Sequence, residues 1–100
     1  MNLKFSVINK SGSKLQSDNK PFPSLAKWTV SPDVDIQSGS QFSSGINSFG
    51  TGDVAALGYI NSVTVSVKLL SSGELEPTIT GSETSSYEIS GSQVTFTITQ

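Results

Sequence analysis

Residues 5–32, FSVINKSGSKLQSDNKPFPSLAKWTVSP, decide how the chain is read. Leu3, Phe5 and Val7 alternate at the start, and period-two alternation marks a half-buried strand. The break Lys10-Ser11-Gly12-Ser13, followed by Lys14-Leu15-Gln16, reads as a hairpin turn and its return strand. A stiff Pro21-Phe22-Pro23 segment follows, and residues 26–30, AKWTV, form a second strand-like run that holds the only tryptophan, Trp28.

The same alternation recurs outward from this stretch. Val63, Val65, Val67 and Leu69 take every second position, as do Val94, Phe96 and Ile98. The places between are Thr64, Ser66 and Lys68, then Thr95, Thr97 and Thr99. Threonine suits the wet face of a strand because its branched carbon fits the pleat while its hydroxyl meets water. With 20 serines and 9 threonines the composition leans towards disorder, but the apolar spacing is too regular for that. Strands with one dry and one wet face imply two antiparallel sheets packed together, an all-β sandwich in one domain over residues 1–100. Further strands are expected at 34–37, 41–43, 59–60 and 75–80, and a closing hairpin at 87–99. Residues 53–57, DVAAL, have helical leanings that Gly58 cuts to a turn at most. Ile46 and Phe49, in the glycine-rich loop 44–53, either plug the end of the sandwich or stand exposed for a partner.

Composition removes whole classes of chemistry. The chain has no cysteine, so it has no disulfide framework and no thiolate metal site, and no histidine, the commonest general base. Ser11 and Lys14 stand at a Ser-x-x-Lys spacing, which carries no weight among 20 serines. Asp33 and Asp35 share one side of an extended segment and, with Asp53, are the oxygens available to calcium, but no EF-hand loop surrounds them. The glycines around Phe49 lack the strand–loop–helix setting of a phosphate-binding motif. Nucleic-acid binding calls for arginine and stacked aromatics, and the chain has no arginine. The expectation is a non-enzymatic protein with no cofactor, no metal and no nucleic-acid partner.

Charge and aromatics carry what remains. Five of the six lysines lie in residues 1–30 against one acid, Asp18, a local +4. Residues 31–100 hold Lys68 against seven acids, a local −6. Such asymmetry either steers the basic third towards anionic surfaces or leaves a solvated lysine face. Trp28 beside Lys27, with Phe22 in the preceding loop, matches the amphipathic ring plus cation found at lipid interfaces; a lone tryptophan in a small β-domain also serves as core. The amino terminus shows no signal-peptide pattern, and no run reaches the ~20 apolar residues that span a bilayer.

Several local motifs, in order, resemble the aegerolysin family. Asn9-Lys10-Ser11-Gly12 with Leu15-Gln16 resembles its early N-x-[ST]-G-x-x-L hairpin. Lys27-Trp28 with Ser31-Pro32 resembles its basic-Trp pair and following turn, and Phe49-x-Thr51-Gly52-Asp53 with Tyr59 its TG loop and next strand. Tyr87-Glu88-Ile89 and residues 94–98, VTFTI, resemble the closing hairpin of the branch that supplies the small component of bacterial binary insecticidal toxins. The order holds over about residues 5–98. Ala26 stands where the family often has glycine, Val54 follows Asp53, and Trp28 is alone where members carry several tryptophans. The resemblance implies an aegerolysin/actinoporin-like sandwich that binds a membrane lipid or surface and often assists a larger pore-forming protein. The expected lipid or partner contacts are Trp28, Phe22 and Lys27, then Phe49 and Tyr59, on a soluble chain acting outside the producing cell. The rival expectation is a structural or adhesive sandwich module, of virion or cell-surface type, with Trp28 in its core.

Overall fold

Alternating side chains become strands wherever a second strand shares their dry face. The computed structural model describes residues 1–23 and 27–99. Among them are seven strands: β1 (Leu3–Asn9), β2 (Gln41–Ile46), β3 (Val54–Gly58), β4 (Thr64–Leu69), β5 (Leu75–Thr80), β6 (Ser86–Ser90) and β7 (Gln93–Ile98). They form a four-stranded sheet, β2-β1-β7-β6, and a three-stranded sheet, β3-β4-β5. Val65, Val67 and Leu69 of β4 and Val94, Phe96 and Ile98 of β7 are buried, as their spacing predicts. With Leu3, Phe5 and Val7 of β1 they belong to one apolar cluster between the sheets, so the architecture is sandwich-like and all-β. No helix of the described residues is long and apolar enough to cross a membrane.

Several expectations need correcting. The four-stranded sheet is mixed, not antiparallel, because β1 pairs with β7 in parallel, Phe5 opposite Val94 and Val7 opposite Phe96. A parallel neighbour needs a long crossover, and the rest of the chain supplies it. Residues 10–16 do not fold back as a hairpin, because β1 is an inner strand with both edges occupied by β2 and β7. Leu15 pairs instead with Ile36, each N–H donating to the other's carbonyl at 2.9 Å. Residues 34–37 and 27–30 contribute single bridges and no strand, and Ala26 lies outside the described residues. Residues 54–58 are strand β3, paired in register with β4 from Val54–Lys68 to Gly58–Thr64. Alanine's helical propensity is a weak local preference that burial of Ala55 and Leu57 against β4 overrides.

The irregular residues 10–23 and 27–38 close one side of the sandwich. Beside β3, Asp18 N–H donates to the Gly58 carbonyl at 3.1 Å and Ile60 N–H to the Gln16 carbonyl at 2.8 Å. Beside β2, Thr29 N–H donates to the Gly45 carbonyl at 2.9 Å and Asn47 N–H to the Lys27 carbonyl at 3.0 Å. This excursion hangs on Asn9, fully buried at the end of β1 on the core parity of Leu3, Phe5 and Val7. Its Nδ2 donates to the carbonyls of Ser13 (2.7 Å) and Ile36 (2.9 Å). Its Oδ1 accepts from the Ser11 N–H (2.9 Å) and hydroxyl (2.7 Å).

Asn9→Ala removes four hydrogen bonds, although the Ile36 carbonyl keeps the Leu15 N–H and the Ser13 carbonyl the Ser11 hydroxyl; at about 0.5–1 kcal/mol net per bond the loss is about 2–4 kcal/mol. Urea unfolding of the variant measures it; a loss under about 1 kcal/mol contradicts the anchoring role.

Candidate functional site

Phe22 is held by its backbone. Its N–H donates to the Ala56 carbonyl at 3.0 Å and its carbonyl accepts the Ala56 N–H at 2.7 Å. Prolines 21 and 23 restrict φ on both sides, and the Phe22–Pro23 peptide bond is cis. The ring has no place in the core cluster and is 58% exposed. An apolar ring in water on a backbone pinned to β3 is the most conspicuous surface feature of the basic third.

Around it is a hollow of about 360 Å³, lined among others by Phe22, Pro23, Lys27, Asn47, Asp53 and Val54. Lys27 is exposed, and Lys20, also exposed, precedes the Pro21-Phe22-Pro23 segment. The Asp53 carboxylate accepts the Gly50 N–H at 2.7 Å, which folds the glycine-rich loop onto itself at the hollow's rim. Gly52, in that turn, has φ +85, a conformation that glycine adopts without strain.

The other expected contacts are inside. Trp28 is 6% exposed, edge-on to Phe5 with centroids 5.4 Å apart, and 6.3 Å from Phe42. Its Nε1–H donates to the Pro23 carbonyl at 2.9 Å. The indole therefore steadies the Phe22 loop from beneath and is not at the surface, because the Trp28–Ile46 bridge turns it into the sheet interface. Phe49 is 1% exposed, its N–H bonded to the Met1 carbonyl at 2.8 Å; with Ile46 it plugs the sandwich end. Tyr59 is 5% exposed. As direct surface contacts Trp28, Phe49 and Tyr59 are thus corrected, and Phe22 and Lys27 are the exposed pair among the five.

The aspartates considered for calcium have structural work. Asp35 Oδ1 accepts the Ser17 N–H (2.9 Å) and Asp33 Oδ1 the Ser17 hydroxyl (3.2 Å), while Asp53 serves the distant loop. Asp35 also forms the one ion pair among the described residues, with Lys14 at 3.8 Å, too exposed to add much stability. Sequence reading missed Asn9, though its odd-numbered place after Leu3, Phe5 and Val7 put it on the dry face.

Compared with protein-family models and with curated proteins, the chain matches none.

Two outcomes follow from the burial of these rings. Trp28 emits at the blue end of the tryptophan range without lipid, and the maximum stays there when vesicles are added; a red-shifted maximum contradicts its burial. Burial pushes the Tyr59 phenol up from its ordinary value, and the negative charge of Asp18 adds to this. A raised folded-state value means the fold favours the neutral phenol, so this contribution is whole below about pH 10 and shrinks as pH rises beyond it. Urea midpoints compared at about pH 9 and about pH 11 should fall less for Tyr59→Phe than for the parent; equal falls remove Tyr59 as the source.

Proposed function

We propose that this chain is a non-enzymatic, aegerolysin/actinoporin-like sandwich that docks on membrane lipid through the Phe22 loop, as the small component of a pore-forming or insecticidal pair acting outside the producing cell. One observation carries the reading: an exposed phenyl ring fixed to a rigid edge, beside exposed Lys27, in the basic third of the chain. The fixed backbone means that inserting the ring costs little conformational entropy. The absence of histidine and cysteine from the sequence agrees with action by adhesion.

Magnitudes set how such docking works. Burying the exposed part of one phenyl ring contributes about 1–2 kcal/mol and each lysine at an anionic surface about 1 kcal/mol, so Phe22 with Lys20 and Lys27 reaches about 3–4 kcal/mol, near millimolar affinity. One copy alone therefore binds weakly and reversibly. Stable attachment needs several copies or a larger partner that holds the chain at the surface.

A structural or adhesive module without membrane activity is the second reading, favoured by the burial of Trp28, Phe49 and Tyr59. Sedimentation with vesicles of phosphatidylcholine alone and mixed with phosphatidylserine separates the two. Docking predicts salt-sensitive pelleting with the anionic vesicles, weakened about fivefold or more by Phe22→Ala and again by Lys27→Glu. If no mixture brings the protein down at millimolar lipid, the membrane reading fails and the module reading stands.

A further inference from the structure

The two sides of the sandwich are finished differently. Residues 14–23 and 27–30 cover the edges of β3 and β2. On the opposite side β5 and β6 are outermost in their sheets, and no described residue pairs with the free edge of either. Their core-facing side chains are left half open. Leu75, Pro77 and Ile79 of β5 are only partly buried, and Tyr87 and Ile89 of β6 are 51% and 40% exposed. Yet the register sets Tyr87 opposite Phe96 and Ile89 opposite Val94, both fully buried. The dry face of the larger sheet therefore continues past the cover that the smaller sheet provides.

The two free edges offer different backbone groups. Leu70 N–H donates to the Glu74 carbonyl, so the even-numbered residues of β5 face β4 and the odd ones face outward. Pro77 is among the outward ones, and without an N–H it blunts that edge. In β7 the carbonyls of Ser92 and Ile98 accept from Lys4 and Lys10, so its even-numbered residues face β1 and its odd ones β6. Ser86, Glu88 and Ser90 thus take the ladder bonds, consistent with the two-residue Gly91-Ser92 turn, where Gly91 has φ +60. The N–H and C=O of Tyr87 and Ile89 point along the open edge, with no proline between them.

Charge selects the occupant. Residues 69–99 hold Glu74, Glu76, Glu83 and Glu88 and no lysine, and no glutamate forms an ion pair among the described residues. A second copy fits poorly: antiparallel pairing of two β6 edges through Tyr87 and Ile89 sets Glu88 against its own copy, and like charges directly opposite are destabilising. We infer that the β6 edge accepts an extended, basic segment of a partner protein as a fifth strand of the β2-β1-β7-β6 sheet. Its alternate apolar side chains enter the seam beside Tyr87 and Ile89, and its lysines or arginines lie on the outer face beside Glu88. This docking lies on the other side of the sandwich from the Phe22 loop and does not rest on the lipid reading.

The test is amide exchange on the isotopically labelled chain, with a short synthetic peptide alternating valine and lysine and a control in which glutamate replaces lysine. The lysine peptide should slow exchange at Tyr87 and Ile89 about tenfold or more, and the glutamate peptide should not. Ile89→Pro removes an outward N–H and no ladder bond, and should weaken binding about tenfold or more. Glu88→Lys, on the exposed face, should reverse the preference between the peptides without touching the backbone. The inference is overturned by no protection with the lysine peptide, by protection elsewhere, by equal response to both peptides, or by variants that bind as the parent does. Sedimentation of the protein alone as a dimer that protects the same two amides also overturns it, since the occupant is then a second copy.

Discussion

The buried amide of Asn9 holds two otherwise separate parts of the chain together. Its backbone belongs to the sheet, donating to the Ser40 carbonyl and accepting from Gly39 N–H just before β2, while its side chain gathers Ser11, Ser13 and Ile36. A leucine in its place would bury as well and hold nothing, because only a group with two donors and an acceptor satisfies both the turn and the incoming segment. Among the described residues no buried side-chain polar atom lacks a partner, so this network is complete, the condition under which a polar group inside a core specifies one arrangement. From that anchor Leu15 and Ile36 enter the core and the following residues reach the β3 edge.

How legible the fold was depends on where each strand's partner lies. β4, β5 and β7 could be read because burial on one face leaves period two in the residues themselves. The β6–β7 hairpin could be read because a Ser-Gly-Ser turn joins neighbours in sequence. The parallel pairing of β1 with β7 has no local signal, because it joins the first and the last of the seven strands and nothing in either one's residues names the other. The same logic undid the expected hairpin at residues 10–16, where the turn chemistry is sound but the edge it needs is taken. At residues 54–58 local propensity and tertiary pairing disagree, and pairing prevails.

At the candidate site legibility was partial for a related reason. Phe22 stood out because the prolines on either side keep it out of a continuous strand; it makes only the single bridge to Ala56, and its ring is left facing water. Trp28 and Val30 have the same parity, yet one is buried and the other 52% exposed. The difference is the Ser44 hydroxyl, which accepts the Val30 N–H and donates to its carbonyl, ending the ladder one residue after Thr29. A side chain standing in for a strand cannot be seen in the alternation of the segment it interrupts.

The division of charge along the sequence is also a division in space. Lys10, Lys14, Lys20 and Lys27 lie in the segment that closes the β2/β3 side, against Asp18, Asp33 and Asp35, a local +1, while Glu76 and Glu88 lie on β5 and β6 at the other, with Lys68 of β4 opposite Glu76. Three inter-strand steps of about 4.8 Å separate β2 from β6, about 14 Å, which exceeds the Debye length of about 8 Å at physiological salt. Each side therefore acts on its surroundings without the other cancelling it. The closing segment leans slightly positive and the β5/β6 side negative. If the chain docks on lipid as proposed, the exposed Lys20 and Lys27 near Phe22 face the membrane and the open β6 edge faces away from it. The two proposed contacts are thus compatible in one orientation, because they lie on opposite sides of the sandwich.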